Sequence, residues 1–197
     1  MLIPLVAFFY ERPGAPVTDL QLGELRRWFW RASFSYRFSG NPQRNIRRDI
    51  EEAMKLRRGE DSELSAIPAA VDETFFLNNT FSIRTVASKT FILLLAQQRP
   101  RSFLSGELVN LERVLAEANR AEYHHCYPRA ALERRGEPRP RINALANFAI
   151  INRSENREIS DKEPSEYRRD MGDKSRKSLR VRSFRRASLT MTTTAFA

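Results

Sequence analysis

The chain has 197 residues, 41% of them hydrophobic, enough for one domain or a domain and a half with a real core. It carries 34 Lys and Arg against 24 Asp and Glu, and the net charge of +10 favours a polyanionic partner, nucleic acid ahead of a membrane surface. A single cysteine, Cys126, excludes an internal disulfide and a four-cysteine zinc module, and it fits a reducing, cytoplasmic compartment.

The first element is the apolar run Met1 to Tyr10. It has no basic residue ahead of it and no small-residue cleavage pattern, so it reads as a core helix or strand rather than a signal peptide. No other stretch is long enough to span a bilayer. Thr18-Asp-Leu-Gln21 fits a capping box at the start of a helix. Leu22, Leu25, Trp28, Phe29 and Ala32 follow at helical spacing, and Ser39-Gly40-Asn41-Pro42 ends the pattern. A second helix is expected over Asn45 to Arg58, with Ile46, Ile50, Ala53 and Met54 on one face and Gly59 as its stop. Residues 60–80 have no clear pattern, although Phe75, Phe76 and Leu77 should pack. A third helix is expected from Ser82 to Gln98, with Phe91 to Leu95 buried and Pro100 just beyond it. The aromatic group Trp28, Phe29, Trp30, Phe34 and Tyr36 reads as core more readily than as a base-stacking platform. The pairs Arg26-Arg27, Arg47-Arg48 and Arg57-Arg58 read as solvated helix faces that add a diffuse field for phosphate.

From Gly106 the pattern changes. Asn110 to Asn119 is a short helix candidate. Ala121 to Tyr127 is extended and is ended by Pro128. Glu133 to Arg141 reads as a polar turn region, Leu145 to Ile151 as an apolar strand, and Ser154 as the N-cap of a further helix. The expected fold is α+β: a helical region over 1–105, a small strand-loop-strand-helix unit over 106–171, and a disordered basic tail over 172–197. That tail holds seven basic residues against Asp173 alone, more than half of the net charge.

Four features of the second region lie in the order expected of one site. His124-His125 ends the first strand, Pro128 follows, Asn147 sits in the second strand, and Asn156 comes nine residues later at the helix start. Phosphodiester hydrolysis needs an activated water and relief of the charge that builds on phosphate. A divalent cation supplies the second. A neutral imidazole can supply the first, because its pKa lies near neutrality. An amide oxygen is a hard ligand that suits Mg²⁺ or Mn²⁺. Cys126 packs more readily as a small hydrophobe than as a zinc ligand.

The stretches Glu122-Tyr-His-His-Cys-Tyr-Pro128, Leu145-Ala-Asn-Phe148 and Glu155-Asn-Arg157 resemble the HNH, or ββα-metal, nuclease superfamily. More narrowly, residues 1–171 resemble the C-terminal half of modification-dependent restriction endonucleases of the GmrSD type. That similarity includes Pro164-Ser-Glu-Tyr167 and the helical stretch around Arg26-Arg-Trp-Phe-Trp30. The resemblance implies a DNA endonuclease of a restriction or phage-defence system, acting on modified or unmodified DNA. It implies His125 as general base, Asn147 as the residue that fixes the loop between the strands, and His124 and Asn156 as ligands of Mg²⁺ or Mn²⁺. The histidine in the first ligand position also admits Zn²⁺ or Ni²⁺. Arg129, Arg153 and Arg157 would hold phosphates. The fuller enzymes of that group carry an N-terminal nucleotide-binding and hydrolysing domain, so a nucleotide-binding partner, or that missing domain, is expected beside this chain. A truncated or frame-shifted chain, acting only as an inactive binding module, is the alternative.

Overall fold

The computed structural model describes residues 1–111, 123–151 and 153–171, and of Arg153 the backbone alone. The chain divides into two compact units that meet in sequence at Val71 and Asp72. Each follows from its own sequence signals.

The first unit is helical. Helix α1 (Leu2–Glu11) resolves the opening run as a helix. Helix α2 (Asp19–Phe34) begins with the expected capping box: Thr18 Oγ1 accepts from the Gln21 N–H at 3.2 Å, and Gln21 Oε1 accepts from the Thr18 N–H at 3.1 Å. The Gln21 amide also donates to the carbonyls of Leu56 and Arg57, which ties the start of α2 to the end of helix α3 (Gln43–Arg58). Gly59 stops α3 in the left-handed region at φ +81°, a conformation that glycine adopts without a Cβ penalty. The core gathers Phe8, Leu25, Trp28, Ala32, Ala53 and Leu56 with Leu64 and Ile67. Burying each large apolar side chain stabilises by about 1.5–3 kcal/mol.

Asp49, Glu52 and Arg57 are buried in this unit, and the first and last tie its segments together. Asp49 accepts from Trp28 Nε1 at 2.8 Å and from Arg37 Nε and Nη2 at 2.8 and 2.6 Å. Arg57 donates to the carbonyls of Arg12, Ala15 and Pro16, clasping the loop that leaves α1. The opposite side of α1 is bare. Leu2, Ile3, Val6, Phe9 and Tyr10 are exposed at positions that share one helix face. No helix among the described residues is long and apolar enough to cross a membrane.

The second unit mixes short helices with a two-stranded sheet. Helix α4 (Glu73–Asn78) lies where the sequence had no clear pattern; Asp72 caps it by accepting from the Thr74 N–H at 2.9 Å. Helix α5 (Val86–Gln97) starts later than the expected Ser82, because Thr85 is the N-cap and accepts from the Ser88 N–H. Strand β1 (Tyr123–His125) pairs antiparallel with β2 (Phe148–Ile150), matching Tyr123 to Ile150, His124 to Ala149 and His125 to Phe148. Between them lie α6 (Arg129–Arg134), α7 (Arg139–Ile142) and a 3₁₀ turn (Leu145–Asn147). Helices α8 (Arg153–Ile159) and α9 (Pro164–Asp170) follow.

Several expectations are corrected here. Glu133 to Arg141 is not one turn region but the end of α6, a connection with Gly136 at φ +76°, and most of α7. The apolar run from Leu145 is strand only from Phe148; its first three residues turn because the Ala144 carbonyl takes the Asn147 N–H. Asn147 therefore precedes the strand. Helix α8 begins at Arg153, so Ser154 lies inside it. The compact units meet at Val71 and Asp72, and residues 72–105 pack on the hairpin side. The Phe81 N–H donates to the Asn143 carbonyl at 2.7 Å, and Ile92 shares a core with Val109 and Ile150. The helix candidate after Asn110 and the basic tail fall outside the described residues, apart from Asn110 and Leu111.

Candidate functional site

Alternation along β1 sends the two histidines to opposite faces of the hairpin. His125 is half-buried. Its ring packs on Phe148 with centroids 4.3 Å apart, and its Nε2 lies 3.2 Å from Asn143 Oδ1. An amide oxygen can only accept, so Nε2 carries the proton and Nδ1 is left with a free lone pair. His124 is buried on the other face, with Nδ1 2.7 Å from Asn156 Oδ1 on α8. The same reasoning puts the proton on Nδ1 and leaves Nε2 bare. That Nε2 has no partner among the described residues.

Burial holds the His124 pKa below the usual histidine value, and the neighbouring His125 adds to that effect. The Asn156 hydrogen bond and the Glu155 charge oppose it. The imidazole is thereby kept neutral, as a metal ligand requires. The lowered value also fixes the sign of a pH effect. Unfolded chains bind this proton near pH 6.5 and the folded state does so only at lower pH. In metal-free buffer stability is therefore full above that pH and falls as pH drops below it. Urea midpoints at pH 7.5 and 5.5 should differ less in His124→Gln than in the parent protein.

Asn147 acts on the turn that follows β1. Its Oδ1 accepts from the Tyr127 N–H at 2.8 Å, and its Nδ2 donates to the Tyr127 and Ile142 carbonyls at 3.1 and 2.9 Å. Its own carbonyl accepts from the Cys126 N–H at 2.8 Å. Asn147→Ala keeps the backbone bond to Cys126 but removes the side-chain partner of the Tyr127 N–H and of the Tyr127 and Ile142 carbonyls, and should cost about 2–3 kcal/mol, read as a lower urea midpoint by circular dichroism.

The Pro-Ser-Glu-Tyr segment closes the same turn from outside. Pro164 opens α9, Glu166 accepts from the Glu163 N–H, and the Tyr167 hydroxyl donates to the Cys126 carbonyl at 3.0 Å. Burial pushes the Cys126 thiol up to about 11, which keeps it protonated and a poor ligand.

Arg129 and Arg157 stand apart from this network. Arg129 is exposed and pairs with Glu133 at 2.7 Å. Arg157 is exposed on α8, one residue past Asn156. The side chain of Arg153 lies outside the described residues.

Two residues of the site were not found from sequence. Asn143 orients His125, and nothing in Arg141-Ile-Asn-Ala144 marks it. Glu155 is buried, accepting from the Ser102 hydroxyl at 2.5 Å and from the Leu104 N–H through Oε1, while its Oε2 has no partner among the described residues. It sits in Arg153-Ser-Glu-Asn-Arg-Glu158, which reads as an exposed helix start.

The donors suit a hard or borderline cation held by few protein atoms. The His124 imidazole has a bare, buried lone pair at Nε2, while its Nδ1–H is held by the Asn156 amide oxygen. No group of three or more His, Cys, Asp or Glu that could hold a metal is found among the described residues. The remaining positions would fall to water and phosphate oxygens, as is usual for Mg²⁺.

No family model matches the chain, and no solved structure matches it. The chain is similar to a protein of Methanocaldococcus jannaschii described as uncharacterised, with 23% identity over 177 residues. The match covers 86% of this chain and 28% of that protein, so the chain spans under a third of the length of its relative.

Proposed function

We propose that the chain is a metal-dependent HNH-type DNA endonuclease serving restriction or phage defence. The observation that supports it most is the joint placement of four residues: adjacent histidines on β1, His124 bonded to Asn156 on α8, and Asn147 bracing the turn after the strand. His125 Nδ1 takes a proton from water. The resulting oxygen attacks phosphorus, one P–O ester bond breaks, and the leaving oxygen acquires a proton. His124, with Asn156 beside it, would hold a divalent cation, Mg²⁺ or Mn²⁺ with Zn²⁺ and Ni²⁺ also acceptable, which would supply charge stabilisation on the phosphate. Arg129, Arg153 and Arg157 steer the DNA backbone toward the site.

The experiment is nicking of supercoiled plasmid, modified and unmodified, with Mg²⁺, with Mn²⁺ and with chelator. Nicking that requires metal supports the reading. The limited span of the relative favours a second one: a catalytically inactive module that at most binds nucleic acid or a protein and hydrolyses nothing. That reading expects no nicking by this chain alone.

A further inference from the structure

Two buried polar atoms in the second unit have no partner among the described residues: His124 Nε2 and Glu155 Oε2. Their residues are linked through α8, where Glu155 immediately precedes the Asn156 that holds His124. Ala149, opposite His124 in the register, and Leu104, whose N–H Glu155 accepts, pack against one apolar cluster. Buried polar groups are rarely left so, because each loses its water without gaining a partner. Both atoms are of the same kind. With the proton on Nδ1, His124 Nε2 offers a lone pair and cannot donate. Glu155 Oε1 already holds two donors, and Oε2 is a second acceptor. Two acceptors cannot satisfy each other, whereas a cation held between them would satisfy both.

We propose that His124 coordinates the divalent cation through Nε2, that Glu155 Oε2 is the anionic donor, and that Asn156 is a positioning residue that fixes the His124 tautomer rather than a ligand. This refines, and rests on, the metal-dependent reading. The arrangement matches the general pattern in which a ligating histidine gives its other ring N–H to an oxygen acceptor. It also gives the buried carboxylate a task beyond holding Ser102 and Leu104.

The test uses the full chain labelled with ¹⁵N, whose two histidines give two imidazole spin systems; His125→Ala assigns them. Zn²⁺ serves as a diamagnetic probe, with affinity measured by calorimetry. Metal-free protein should show His124 protonated at Nδ1 and bare at Nε2. Zn²⁺ should then shift Nε2 and leave Nδ1 protonated. Glu155→Gln, which keeps shape and removes charge, should weaken Zn²⁺ binding by about tenfold or more. Asn156→Ala should weaken it by about 10–100-fold with Nε2 still the shifted atom. A shift at Nδ1, no Zn²⁺ binding, or full affinity in a folded E155Q overturns the assignment. If E155Q fails to fold, the shifted nitrogen in the parent protein still decides. Plasmid nicking measured in parallel separates the two ideas. Metal-dependent nicking with a shift at Nδ1 sinks the ligand set alone. A shift at Nε2 without nicking sinks the nuclease reading alone.

Discussion

His125→Ala should abolish the proposed metal-dependent nicking of supercoiled plasmid and leave DNA affinity in chelator nearly unchanged. The loss should reach about 10²–10⁴-fold, the usual worth of a positioned general base. Affinity survives because phosphate contacts, made by charged side chains spread over the surface, carry most of nonspecific binding. The half-buried ring stacks on Phe148, so truncation also removes packing. His125→Gln keeps most of the volume and cannot take the proton from water, and it should be equally inactive. Nicking that persists in both variants would remove His125 from the mechanism. A gel shift in chelator and a time course of nicked plasmid are sufficient to read both effects.

Asp49→Ala should lower the stability of the helical unit by about 3–5 kcal/mol, because it strands a buried charge rather than merely deleting a pair. The carboxylate side chain is 1% exposed and Arg37 beside it 10% exposed. Removing the acid leaves the Arg37 guanidinium without its two-pronged partner and the Trp28 N–H without an acceptor, both inside the core. Asp49→Asn restores one acceptor for the indole but not the charge, and should recover only part of the loss. Thermal unfolding of the three proteins checks the order. Equal midpoints would mean that the pair is replaceable by water and that the core does not depend on it.

Local signals were legible where one residue type has one task. The Thr18–Gln21 box fixed the start of α2, and Gly59 fixed the end of α3, because caps and left-handed stops act over a few residues. Long-range satisfaction was not legible. Asp49, Glu52 and Arg57 look like members of a solvated charged face, yet all three are buried, since their partners lie 10 to 45 positions away in sequence. The apolar run from Leu145 carried a strand signal through residues that the Ala144 carbonyl bends into a 3₁₀ turn. For the candidate site, the order of His124, His125, Asn147 and Asn156 could be read directly. The burial of Glu155 and the role of Asn143 could not, because each depends on a contact made only after the hairpin closes.

The division of the chain at Val71 also sorts its chromophores. Both tryptophans, Trp28 and Trp30, lie in the helical unit, and both histidines lie in the unit that holds the hairpin. Tryptophan emission therefore watches only the first unit, with Trp28 reporting directly on Asp49. Imidazole resonances watch only the second. A denaturation curve followed by fluorescence is silent about the candidate site, and a histidine spectrum is silent about the helical core. Each unit can thus be followed in the intact chain by a reporter that its own sequence already supplies.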